Sequence, residues 1–149
     1  MSDRSHIAQN EAENKRMRSL VGRLTDEQLA RPLSAGWTVA SVLGHVAFWD
    51  QRIVTLVEEW RKAGPAAVPK PIAETNIDWV NDAAKPLLLA LPPRRAAEVA
   101  LSIADAADRA VASLSDDEMA RNAAAGSPLN LLRAEHRREH LEEIEAALH

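Results

Sequence analysis

Apolar positions along this chain recur at helical rather than strand spacing. From Val39 they fall at Val42, Leu43, Val46, Trp49, Ile53, Val57 and Trp60, a three-and-four-residue rhythm that gives a helix one continuous buried stripe. Thr38 can cap this segment, and Gly64-Pro65 ends it, because glycine accepts the turn after a helix and proline cannot continue one. A sparser pattern, Ile7, Met17, Leu20, Val21 and Leu24, predicts a first helix from Asp3 to Leu24 with a polar first half. The stretch from Gly64 to Pro71 suits neither helix nor central strand and reads as a surface loop joining two halves, placed where it can cover a site. Helical pattern returns from Ile77 to Leu91, interrupted by Pro86, and Pro92-Pro93 suit the first turn of a further helix ending near Ser113. Ser127 as cap and Pro128 at the first helical position predict a last helix running to Leu148. No stretch alternates apolar with polar for long, so the predicted fold class is all-α.

The chain also resembles itself. Thr25-Asp26-Glu27-Gln28-Leu29-Ala30-Arg31 returns as Ser115-Asp116-Asp117-Glu118-Met119-Ala120-Arg121, and Ala35-Gly36 returns as Ala125-Gly126, at one constant offset. Each copy opens with a capping-box pair, Thr25 with Gln28 and Ser115 with Glu118. The fold therefore reads as two pseudo-repeated helical halves, with coincidence in an alanine-rich sequence as the plainer account. A shift of one further residue sets His45 opposite His136 and Trp49 opposite His140. Corresponding places in two halves are where residues meet on facing helices of a bundle.

His136 and His140 lie about 40° apart and one turn removed on a helix, a spacing at which two imidazoles can chelate one ion. His45 sits in the apolar run Val42-Leu43-Gly44-His45-Val46-Ala47, and a third imidazole there would complete a three-nitrogen site. The plainer reading is three core-edge histidines satisfied by ordinary hydrogen bonds. His6 and His149 lie at the termini and are expected to be solvated. His136-Arg137-Arg138-Glu139-His140 also matches an H-x-x-E-H protease pattern with Glu139 as base, but only nine residues follow it to supply a further ligand. Glu143 stands one turn beyond His140, where it can orient an imidazole or become a fourth ligand, or simply face solvent. Arg133, one turn before His136, can hold an anion beside the site, although snorkelling to solvent is the expected placement. Trp37, Trp49, Trp60 and Trp79 are expected in the core, with Trp49 as a wall of the site.

Composition narrows the function. At 149 residues the chain fits one domain, 1–149. It has no cysteine, so neither a disulfide framework nor a protein thiol nucleophile is available, and any thiol chemistry needs a borrowed thiol. A net charge of −4 with scattered arginines argues against nucleic acid as a partner. The start lacks a secretory pattern and the longest apolar run is too short for a bilayer, so a soluble cytoplasmic protein with no membrane partner is expected.

The run Gly36-Trp37-Thr38-Val39-Ala40-Ser41-Val42-Leu43-Gly44-His45-Val46-Ala47-Phe48-Trp49, together with Ile77-Asp78-Trp79-Val80-Asn81 and His136-Arg137-Arg138-Glu139-His140-Leu141-Glu142-Glu143-Ile144, resembles the DinB-like superfamily over essentially the whole chain. The resemblance implies a four-helix bundle, commonly a homodimer, with His45, His136 and His140 binding a divalent metal such as zinc or nickel. It also implies relatives that act as thiol-dependent transferases, isomerases or hydrolases on small molecules, some of them with mycothiol. A non-catalytic bundle with a structural metal, binding a small molecule or a partner chain, is the alternative.

Overall fold

The computed structural model describes residues 3–149. It is all-helical: α1 (Ser5–Arg23), α2 (Asp26–Leu29), α3 (Val39–Ala63), α4 (Glu74–Ala90), α5 (Pro93–Ala112), α6 (Asp116–Ala124) and α7 (Ala134–Ala147). Among the described residues no strand forms beyond an isolated bridge between Pro32 and Thr38, and no helix is long and apolar enough to cross a membrane. Helices α1, α3, α5 and α7 close the bundle through α1 on α7 and α5, and α3 on α5 and α7, while α4 lies on α3.

Packing follows from residue size. Helix α5 buries Ala96, Ala97, Ala100, Ala104, Ala107 and Val111, a stripe of mostly single methyl groups that lets it lie close against α3. Helix α3 contributes Val39, Val42, Leu43 and Val46 to one apolar cluster and Ile53, Leu56, Val57 and Trp60 to another. Between the two clusters sits a polar layer, with Asp50 of α3 and Arg137 of α7 buried at 1% and 0% exposure. Gly44 gives α4 its seat: a Cβ there would stand 3.2 Å from Leu88 Cδ2, closer than ordinary contact.

The repeat is visible in the local geometry. Thr25 and Ser115 both form complete capping boxes, with Gln28 and Glu118, and Gly36 and Gly126 both take positive φ, 80° and 87°. Thr38 also forms a capping box, with Ser41.

Several expectations are corrected. The last helix does not begin at Ser127-Pro128: Ser127 has φ of 56°, outside the extended region a cap adopts, and α7 begins at Ala134. The intervening backbone bonds to side chains of other helices. Leu129 donates its N–H to Asn122 Oδ1 and accepts from Asn122 Nδ2, each at 2.9 Å. Asn10 of α1 accepts from the backbone N–H groups of Arg133 and Ala134 at 2.7 and 2.9 Å and donates to Leu131 O at 2.8 Å. The cap of α7 is thus supplied from α1 rather than from its own sequence. Helix α4 starts earlier than expected and runs through Pro86. The carbonyl four residues before this proline belongs to exposed Asp82, so water can take the place of the missing N–H. His6 is buried at 7% exposure, not solvated. Trp79 stands 61% exposed while Trp60 is buried as expected.

Candidate metal centre

Three helical turns converge on one point. His45 projects from the first half of α3, where its neighbours Val42, Leu43 and Val46 are buried, while His136 and His140 occupy successive turns of α7. The three ring centroids form a nearly equilateral triangle, 4.9 Å for His45 to His136 and 4.8 Å for each of the other pairs, with every pair edge-to-face. His45 Nε2 and His136 Nε2 are 3.0 Å apart, and one ligand atom from each of the three residues lies within 4.8 Å of the others. A zinc ion with nitrogen ligands at about 2.0–2.1 Å in tetrahedral geometry holds them about 3.3 Å apart, so the donor set fits a first-row divalent ion after small ring rotations.

Electrostatics favour the ligand form of the rings. Burial, followed by the neighbouring His140, pushes His45 down to about 4. Burial, then His140, His45 and the Arg133 and Arg137 charges, pushes His136 to about 2. Both rings are therefore neutral at neutral pH, as metal coordination requires. His140 Nδ1 faces Glu143 Oε2 at 3.1 Å. A Nδ1–H donated to this carboxylate leaves the Nε2 lone pair of His140 free to face the other two rings. Trp37 closes one side, its ring 5.7 Å from that of His45.

Two cavities open onto the group, of about 550 and about 520 Å³, and both are lined by His45, His140, Asp78 and Asn81. The second also contains Trp49, Arg133, His136 and Glu139. Trp49 is half-buried and donates its indole N–H to Asn81 Oδ1 at 2.7 Å, so it forms a wall fixed to α4. A larger cavity, about 770 Å³ between α6 and the segment before α7, contains none of these histidines.

Arg133 departs from the expected solvent-facing placement. It is 5% exposed, and its Nε donates to Asp50 Oδ1 at 2.9 Å, so its charge already has a carboxylate partner. The other oxygen of Asp50 accepts from Arg137 Nε and Nη2 at 3.2 and 3.1 Å. Arg137 also pairs with Asp108 at 2.8 Å and donates to Asn10 O at 3.1 Å. This network fixes the first turn of α7, and with it His136, against α3, α5 and α1.

Sequence reading missed Asp50, Asn10, Arg137 and Asp108, although a signal was present. Asp50 falls between Val46 and Ile53 in the stripe of α3, and Arg137 between Ala134 and Leu141 in that of α7. Asn10 and Asn14 extend the stripe of Met17 and Leu20 in α1. Polar residues in core register on three helices must find one another or remain unpaired in a dry interior.

The family model described as the DinB superfamily matches residues 9–144, and the chain belongs to that superfamily. No curated protein and no solved structure matches the chain.

Proposed function

We propose that this DinB-superfamily chain binds one divalent ion, zinc or nickel, through His45, His136 and His140, and uses it to activate a low-molecular-weight thiol or water against a small substrate. The observation that carries this reading is the convergence of three imidazoles at the floor of an open cavity. Such an ion, when bound, lowers the pKa of a thiol or water so that the nucleophilic anion exists at neutral pH. Transfer, isomerisation and hydrolysis are all within reach of that chemistry. The chain has no cysteine, so a thiol enters as a cosubstrate of the mycothiol kind.

The protein's own residues do the positioning. Glu143 holds His140 in the tautomer that offers Nε2. Arg133 and Arg137, anchored on Asp50, set the height of His136 above α3. Trp49, tied to Asn81, walls the space where a substrate would lie. Cavities beside the three histidines favour catalysis over a purely structural ion, which would be closed off by a fourth protein ligand.

Metal analysis of protein purified without a histidine tag tests the reading. One ion per chain is expected in the native protein and none in His140→Ala; a variant that keeps a stoichiometric ion sinks the site as drawn. A homodimer belongs to the same proposal. Helix α4 turns Trp79 and Leu87 outward at 61% and 74% exposure, and Phe48, Leu89 and Leu91 are also exposed, an apolar area that a second copy would cover. Light scattering should find a dimer that Leu87→Glu converts to monomer; a monomeric native protein removes this part.

A further inference from the structure

The space above the histidines carries far more acid than base. Its charged lining comes from two sides: Glu74, Asp78 and Asp82 from α4, and Arg133, Glu139 and Glu143 from α7 and its cap, while α3 contributes the imidazole of His45 and the indole of Trp49. Arg133 is the one cation in that lining among the described residues, and its guanidinium is paired with buried Asp50. Lys85, one turn further along α4, stands at the rim of the first cavity, donating to the carbonyl of Ala35 and lying 5.2 Å from the Trp37 ring. A divalent ion on the histidines and the Lys85 ammonium together offset three of the five carboxylates and leave the mouth negative. His45, buried at 8% exposure, opens into both cavities, so these carboxylates share the lining of the reacting position although Glu74, Asp78, Asp82 and Glu139 are themselves exposed.

From this arrangement we propose that the site selects a nucleophile or substrate bearing an alkylammonium group over one bearing a carboxylate or phosphate, with Asp78 and Asp82 as the specificity-determining residues. The inference rests on the metal reading above and reverses the role that Arg133 suggests in the sequence: the arginine is a structural ion-pair partner, and the substrate's charge is read by α4.

Cobalt-loaded protein reports on this without turnover, because a thiolate entering the coordination sphere changes the cobalt absorption spectrum. Titrations with cysteamine, 2-mercaptoethanol and 3-mercaptopropionate present ammonium, neutral and carboxylate forms of one thiol. The ratio of the 3-mercaptopropionate to the cysteamine dissociation constant is compared between native protein and Asp78→Asn/Asp82→Asn, which cancels the thiols' own difference in acidity. Native protein should show a ratio about tenfold higher than the double variant at low ionic strength, with the gap closing in about 1 M salt, where the screening length falls to about 3 Å. An unchanged or inverted ratio overturns the charge selection while leaving the metal reading intact. Failure to take up cobalt, or cobalt that no thiol perturbs, overturns the metal and thiol reading itself, and the selection with it.

Discussion

His45 on α3 and the pair His136 and His140 on α7 meet at one point from the two halves of the chain, but different neighbours fix them. Helix α3 is 25 residues long, starts from its own capping box and holds His45 among buried aliphatic side chains. Helix α7 is 14 residues long, takes its cap from Asn10 of α1, and is pinned by Arg133 and Arg137 to Asp50. One imidazole is placed by non-directional packing and the others by directional ionic contacts, which set the register of α7 to a fraction of a turn. The comparison shows that one group of imidazoles can be assembled from helices held in place by different forces.

Removing the shared anchor should have the largest effect. Asp50→Ala leaves Arg133 buried without a carboxylate and Arg137 with Asp108 alone, and loss of one partner from such a group costs about 3–5 kcal/mol. Urea unfolding should show that loss, together with weakened metal uptake, because α7 is freed; wild-type stability would mean that α7 is held by packing, as α3 is. Asn10→Ala strips the cap from α7 and leaves three backbone groups without their partner, a cost on the order of 2–3 kcal/mol. Hydrogen exchange should rise at Arg133 and Ala134 while the start of α3, capped by Thr38, stays protected; equal loosening of both ends contradicts independent support.

An effect of pH acts on both helices. Burial lowers His45 from 6.5 to about 4, and His136 further, so in metal-free protein the unfolded chain binds protons that the folded chain refuses. Stability is then at its full value above about pH 6.5 and falls as the pH drops toward 4. Bound metal competes for the same lone pairs, so the holoprotein should withstand acid better than the chelated protein until the ion leaves. Melting curves of both forms across this range check the sign; a chelated protein that gains stability on acidification contradicts neutral, buried imidazoles.

Legibility differed along the same divide. Helix α3 was readable almost to the residue, because its cap, stripe and Gly64 stop are all local signals. Helix α7 was not: Ser127-Pro128 carries every local mark of a helix start, yet Asn122 and Asn10 take up the backbone on the way to Ala134. The histidine group was legible because the i, i+4 spacing and the repeat both depend on sequence position alone. Arg133 was misread for the opposite reason. Its partner lies 83 positions away, and no spacing rule reaches across that distance.

Sequence by itself determined the helical class, the capping boxes of both halves, and the three histidines as candidates for one site, since each follows from periodicity or repetition within the chain. Tertiary structure alone decided that Asp50 takes both arginines, that α4 turns its carboxylates toward the site and Trp79 and Leu87 away from it, and where α7 begins. Those outcomes depend on which helix faces which, and helix packing is fixed by side-chain volumes and by the need to pair every buried charge across the whole fold.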